Sequence, residues 1–93
     1  LHYTVDAYVQ ECINKNLTPL QIESHPLYVE LLRIDKDFNL GFQKICKSLI
    51  AFGKLMTNNE KIFADRYGYS RKRGTGNKME HTFEGMKKEE LEI

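Results

Sequence analysis

From Leu27 to Met56 a stripe of large apolar residues (Leu27, Leu31, Ile34, Phe38, Phe42, Ile45, Leu49, Phe52 and Met56) advances in steps of three or four. A half-buried strand would need steps of two, so this stretch can turn one apolar side inward only as helix. Two arrangements satisfy the spacing. One is a single helix over 26–56. The other breaks at Asp35-Lys36-Asp37, with Asp37 capping a second helix that begins at Phe38. Helices in globular domains average about 11–12 residues, and the stretch is read as two helices.

The flanks continue in the same manner. After Thr4, a candidate N-cap, Val5, Tyr8, Val9, Cys12 and Ile13 line one face of an amphipathic helix that closes near Asn14-Lys15-Asn16. Thr18-Pro19-Leu20-Gln21 combines a cap hydroxyl, a proline at the first helical position and a Gln three residues after the cap. The helix it opens must be short, because His25 precedes Pro26 and is pushed out of the α region; Pro26 then opens the next. Thr57-Asn58-Asn59-Glu60 has the form of a capping box, and its helix would bury Ile62, Phe63 and Tyr67 before Gly68 ends it.

Beyond Gly68 the periodicity changes. Gly74-Thr75-Gly76-Asn77 is a turn signal, and Met79, His81 and Phe83 alternate with Glu80 and Thr82 in strand fashion. A basic β-hairpin is the natural reading. A helix through Met79, Phe83 and Met86 competes, weakened by Gly85 in its middle. Residues 84–93 read as a charged tail or helix. The fold class expected is mainly α: a compact bundle of about four to five helices, with a basic loop or β-hairpin near the C-terminus. Its parts are a helical body over 1–67, the basic segment over 68–83 and the tail.

Composition fits that picture. Leu, Ile, Val and Phe make up 25 of 93 residues, above the roughly 20% below which disorder is expected, and the length is that of one small domain. The longest uninterrupted apolar run is Leu49-Ile50-Ala51-Phe52, far short of the ~20 residues that cross a bilayer. No basic-then-apolar leader is visible, and a start at Leu1 points to a segment of a longer protein. Cys12 and Cys46 form no CxxC and are expected as reduced, buried thiols. The expected location is intracellular, nuclear or cytoplasmic, without a membrane partner.

The net charge of +1 hides an asymmetry. Residues 1–56 balance to zero, residues 57–78 carry +4 and residues 79–93 carry −3. Five cations (Arg66, Arg71, Lys72, Arg73 and Lys78) lie between Asp65 and Glu80 with no carboxylate among them. Such groups on a glycine-containing turn reach phosphates, and Tyr67 and Tyr69 offer ring faces or hydroxyls. A short helix followed by a basic hairpin resembles the way winged-helix domains present a recognition helix and a wing. The resemblance covers residues 38–83 in element order alone; no small strand is legible between the early helices, and no family is assigned. The same cations also fit an ordinary solvated loop, or a nuclear-import signal at Arg71-Lys72-Arg73.

Other chemistries are poorly served. His2, His25 and His81 share no metal-ligand spacing. Asp35-Lys36-Asp37-Phe38-Asn39 begins like a calcium loop but has Leu40 where glycine is needed and Cys46 where a bidentate Glu is needed. Gly74-Thr75-Gly76-Asn77-Lys78 lacks the spacing of a phosphate-cradling P-loop. No nucleophile elbow or isolated carboxylate pair is present. The expectation is a non-enzymatic, cofactor-free nucleic-acid-binding module, with DNA as the expected partner. Its contacts would be Arg66, Arg71, Lys72, Arg73 and Lys78 on phosphates, Tyr69 beside them, and Asn58 and Lys61 (with Asn59) near base edges. The alternative is a protein-interaction or oligomerisation module in which the 27–56 stripe meets a second copy or a partner helix.

Overall fold

The computed structural model describes residues 2–74, 76 and 78–85; the tail from residue 86 onward lies outside them. Among the described residues the order is α1 (His2–Asn14), β1 (Leu20–Glu23), α2 (Ser24–Phe38), α3 (Phe42–Ile45), α4 (Leu49–Asn58), α5 (Glu60–Tyr67), β2 (Ser70–Arg73) and β3 (Met79–Phe83). The chain is mostly helical, with a small antiparallel sheet in the order β1-β3-β2. Its radius of gyration is 12.8 Å, as expected for a compact chain of this size.

One core holds these elements together. Val5, Val9 and Cys12 of α1 meet Leu27, Leu31 and Ile34 of α2, joined by Phe42, Phe52, Met56, Phe63, Tyr67 and Phe83 from the rest of the chain. Six of the nine stripe residues are buried there, whereas Phe38, Ile45 and Leu49 remain exposed. Both cysteines are free and buried. Arg66 clamps α5 onto α1 through two 2.9 Å bonds to the two oxygens of Asp6, which also accepts from the Tyr67 hydroxyl.

Several local expectations need correction. The 26–56 stretch forms three helices rather than two, and the break falls at Asn39-Leu40-Gly41, where Asn39 and Gly41 adopt left-handed φ of 55° and 83°. Asp35 organises this break, in place of Asp37. Its carboxylate accepts from the backbone N–H groups of Leu40 (3.0 Å), Phe42 (2.8 Å) and Gln43 (3.2 Å). It lies inward, next to Ile34, whereas Asp37 is exposed and 4.0 Å from Arg33. Thr57 also fails as a cap, because its hydroxyl donates back to the Gly53 carbonyl at 2.9 Å and keeps the residue inside α4. Asn59 alone separates α4 from α5, and Ile62 is exposed. Thr4 sits within α1 instead of capping it, buried and with no partner for its hydroxyl among the described residues.

The largest correction concerns residues 18–23, expected as a helix start and found leading into β1. Leu20 and Ile22 alternate with Gln21 and Glu23, a period of two that lets the segment pair with β3.

Burial by itself would raise the Asp35 pKa, but the backbone N–H donors outweigh it and hold the carboxyl below the usual carboxylate range. Its contribution is therefore present above the unfolded pKa of about 3.9 and is lost as the pH falls through the lower folded value. Asp35→Ala leaves three N–H groups unsatisfied and is expected to cost about 2–4 kcal/mol in urea unfolding at neutral pH, whereas Asp37→Ala should stay within about 0.5 kcal/mol.

Candidate nucleic-acid interface

The basic segment forms the expected hairpin, and its register decides where each cation points. β2 and β3 pair with Arg71 opposite His81, Lys72 opposite Glu80 and Arg73 opposite Met79, while β1 adds Glu23 opposite Glu80 and Ile22 opposite His81. Directly opposed residues share a face of the sheet. The outer face thus carries Gln21, Glu23, Glu80, Thr82, Ser70 and Lys72; the inner face carries Leu20, Ile22, Met79, His81, Phe83, Arg71 and Arg73. The run Arg71-Lys72-Arg73, adjacent in sequence, is divided between opposite sides.

That division changes the electrostatics. On the outer face Lys72 stands opposite Glu80, which accepts from Gln21 at 2.7 Å, and Lys78 lies 3.9 Å from Glu23. The Glu80 carboxylate also packs against Gly74, where a Cβ would meet it at 2.9 Å. Two carboxylates therefore offset two cations, leaving little positive field. Arg66 is engaged by Asp6 of α1. Lys61 is exposed, with Asp65 one helical turn away on the same face of α5.

The inner edge of the sheet is different. Arg71 turns toward the helices and lies 3.3 Å from Glu60 at the start of α5. Between it and α4 runs an open groove of about 440 Å³, lined on the helix side by Gly53, Lys54, Thr57 and Asn58 and on the sheet side by Arg71, Met79 and His81. Ser24, the first residue of α2, closes one end. Lys54 and Arg71 are the cations of this lining, which holds no carboxylate. Arg73 is exposed on the same side of β2.

Of the residues expected from sequence, the groove brings together Asn58 and Arg71, with Arg73 on the same face. Lys61 sits apart on α5, Lys72 and Lys78 lie on the balanced outer face, and Arg66 is tied to α1. Tyr69 leaves the set altogether: it is 3% exposed, its ring stacked on His81 and packed near Phe63 and Phe83. Strand alternation explains this, since Tyr69 shares its parity with Arg71 and points inward. Lys54, Thr57 and Ser24 were missed. Lys54, Thr57 and Asn58 stand at i, i+3 and i+4, a signal readable from sequence only once the helix is known to run through residue 58.

At the base of the groove lies a polar trio of buried His81 and Tyr69 with half-buried Ser24. The Ser24 hydroxyl is 2.7 Å from His81 Nε2 and the Tyr69 hydroxyl 2.5 Å from His81 Nδ1. A neutral imidazole has one N–H and one bare nitrogen, so one hydroxyl donates to the ring and the other accepts from it. A serine on a histidine is also the first contact of a nucleophile–base pair. Burial, helped by the neighbouring Arg71 charge, pulls the His81 pKa down to about 4, which makes the ring a weak base near neutrality.

No protein-family model, curated protein or solved structure matches this chain. Among the described residues no helix is long and apolar enough to cross a membrane.

The unfolded chain takes up a proton at His81 near pH 6.5, whereas the folded one does so only near 4. Stability is therefore full above about 6.5 and declines as the pH falls toward 4, by about 3 kcal/mol for this group. Unfolding curves at pH 7 and pH 4.5 check the decline, and His81→Gln should remove most of the difference between them.

Proposed function

We propose that the chain is a non-enzymatic nucleic-acid-binding module of winged-helix-like construction, which meets duplex DNA with the exposed side of α4 and the inner edge of the β2–β3 hairpin. The observation that carries this reading is the groove between those two elements, with Lys54 and Arg71 in its walls and no carboxylate. Element order supports it. The strand β1 follows the first helix, and the sheet order β1-β3-β2 leaves the basic strand at the edge beside the α4–α5 pair.

The contacts proposed are narrower than the sequence implied. Arg71, Arg73 and Lys54 approach phosphates, and Asn58 and Thr57, exposed on α4, approach the groove of the duplex. Lys61, apart on α5, is outside this contact set. Lys72 and Lys78 contribute less because they lie on the outer side of the sheet with Glu80 and Glu23, away from the groove, and Arg66 because both oxygens of Asp6 hold it. The Ser24–His81–Tyr69 trio serves folding in this reading: a buried base of depressed pKa suits a structural polar centre better than proton transfer.

Binding to a short duplex at about 50 mM salt, with log K falling linearly against log salt, is the expected result by fluorescence anisotropy. Replacing Lys54 and Arg73 together by Ala should flatten the salt slope by about 1.8, and replacing Lys72 and Lys78 together should flatten it less. A wild-type protein that binds no duplex at low salt contradicts the reading.

A second reading, as a protein-interaction or oligomerisation module, draws on one observation. Phe38 is 62% exposed and Tyr3 75% exposed, and together with Ala7 and Leu40 they line an open apolar depression of about 510 Å³. Assembly of identical copies through it should appear as a concentration-dependent mass in sedimentation equilibrium; a monomer across the accessible range counts against self-association.

A further inference from the structure

Arg71 is covered yet under-used. Its side chain is only 20% exposed, and of its five N–H donors the one on Nε meets Glu60 at 3.3 Å. Neither terminal amino group has a hydrogen-bond partner among the described residues. These two nitrogens are not buried, since among the described residues the Thr4 hydroxyl is the one buried side-chain polar atom without a partner, so the planar fork stays open to an incoming acceptor. The fork here borders the groove wall, and the surroundings suit an anion. Lys54 supplies a second cation, and Asn58 an amide. Ser24 is the first residue of the fifteen-residue α2, whose N-cap, Glu23, turns its side chain to the outer face of the sheet, away from the groove. Gly53 leaves space between them: a Cβ built on it has no atom within 4 Å.

We propose that this groove seats one phosphate group of a nucleic-acid backbone, with the terminal nitrogens of Arg71 as a bidentate anchor and Lys54 as the second charge. The proposal rests on the nucleic-acid reading above and names the anchoring point within it. Glu60 meets Arg71 at Nε, which leaves the two terminal nitrogens for a second acceptor. The open shape suits a phosphate in a continuing chain, because a polymer must enter and leave on either side of the contact.

Gly53→Glu tests the site most cleanly. The new side chain projects into open space, so the fold is retained, while its carboxylate occupies the seat and repels phosphate. Gln10→Glu adds the same charge on exposed α1 and serves as the control. Duplex binding followed by anisotropy, with circular dichroism and melting curves on each variant, should show more than about tenfold weakening for Gly53→Glu and less than about twofold for Gln10→Glu. Arg71→Ala should weaken binding about tenfold and flatten the salt slope by about 0.9. Should Gly53→Glu bind as tightly as wild type, or no more weakly than Gln10→Glu, the seat is wrong while the nucleic-acid reading stands. Should wild type itself bind no duplex at low salt, both fall together.

Discussion

The imidazole of His81 sits on the central strand of the sheet, 1% exposed, and bonds to Ser24 at the start of α2 and to Tyr69 at the entry to β2. Its ring also packs near Phe52 of α4. A polar ring at such depth is tolerable only with both nitrogens satisfied, and its two hydroxyl partners lie 57 and 12 residues away in sequence. Sliding β3 by one residue would turn His81 to the outer face and bring Glu80 and Thr82 inward, breaking both bonds. The trio therefore pins the register, and the register sorts every cation of the hairpin to one side or the other.

From that sorting follows the electrostatic character of the molecule. A run of three cations reads in sequence as one patch, but a strand cannot present consecutive residues to the same partner. Lys72 shares the outer face with the carboxylates of β1 and β3, while Arg71 and Arg73 lie on the inner face, where Arg71 borders α4 across the groove. The positive surface that results is smaller than charge counting suggests and lies in a groove, where low-dielectric walls strengthen each contact. The groove and the trio share Ser24 and His81, so what fixes the fold also shapes the surface proposed to bind.

Much of the architecture was legible because helical periodicity is local. The amphipathic faces of α1 and of the 27–56 stretch, the stop at Gly68 and the alternation of Met79, His81 and Phe83 all come from spacing within one element. What escaped depended on partners distant in sequence. Leu20–Glu23 is a strand because β3 is there to pair with it, and four residues carry too little pattern to announce that. Asp35 captures the backbone N–H groups beyond the break because it faces inward, a fact about the helix's rotation that favoured Asp37 only by position. Thr57 satisfied a capping pattern whose geometry was pre-empted by its own bond to Gly53. At the candidate site, Arg71 and Asn58 were found from charge and residue type, whereas Lys54, Gly53 and Ser24 belong to it only through folding.

The groove's charge depends on Arg71 bordering α4 while Lys72 lies on the opposite face of the sheet. Nuclear Overhauser contacts in the folded protein measure this directly. The prediction is contact of the Arg71 side chain with Met79, His81 and the α4–α5 junction, and of Lys72 with Glu80. Contact of Lys72 with His81 or Asn58 instead, with Arg71 turned toward Glu80, would contradict the register and remove the groove's anchor.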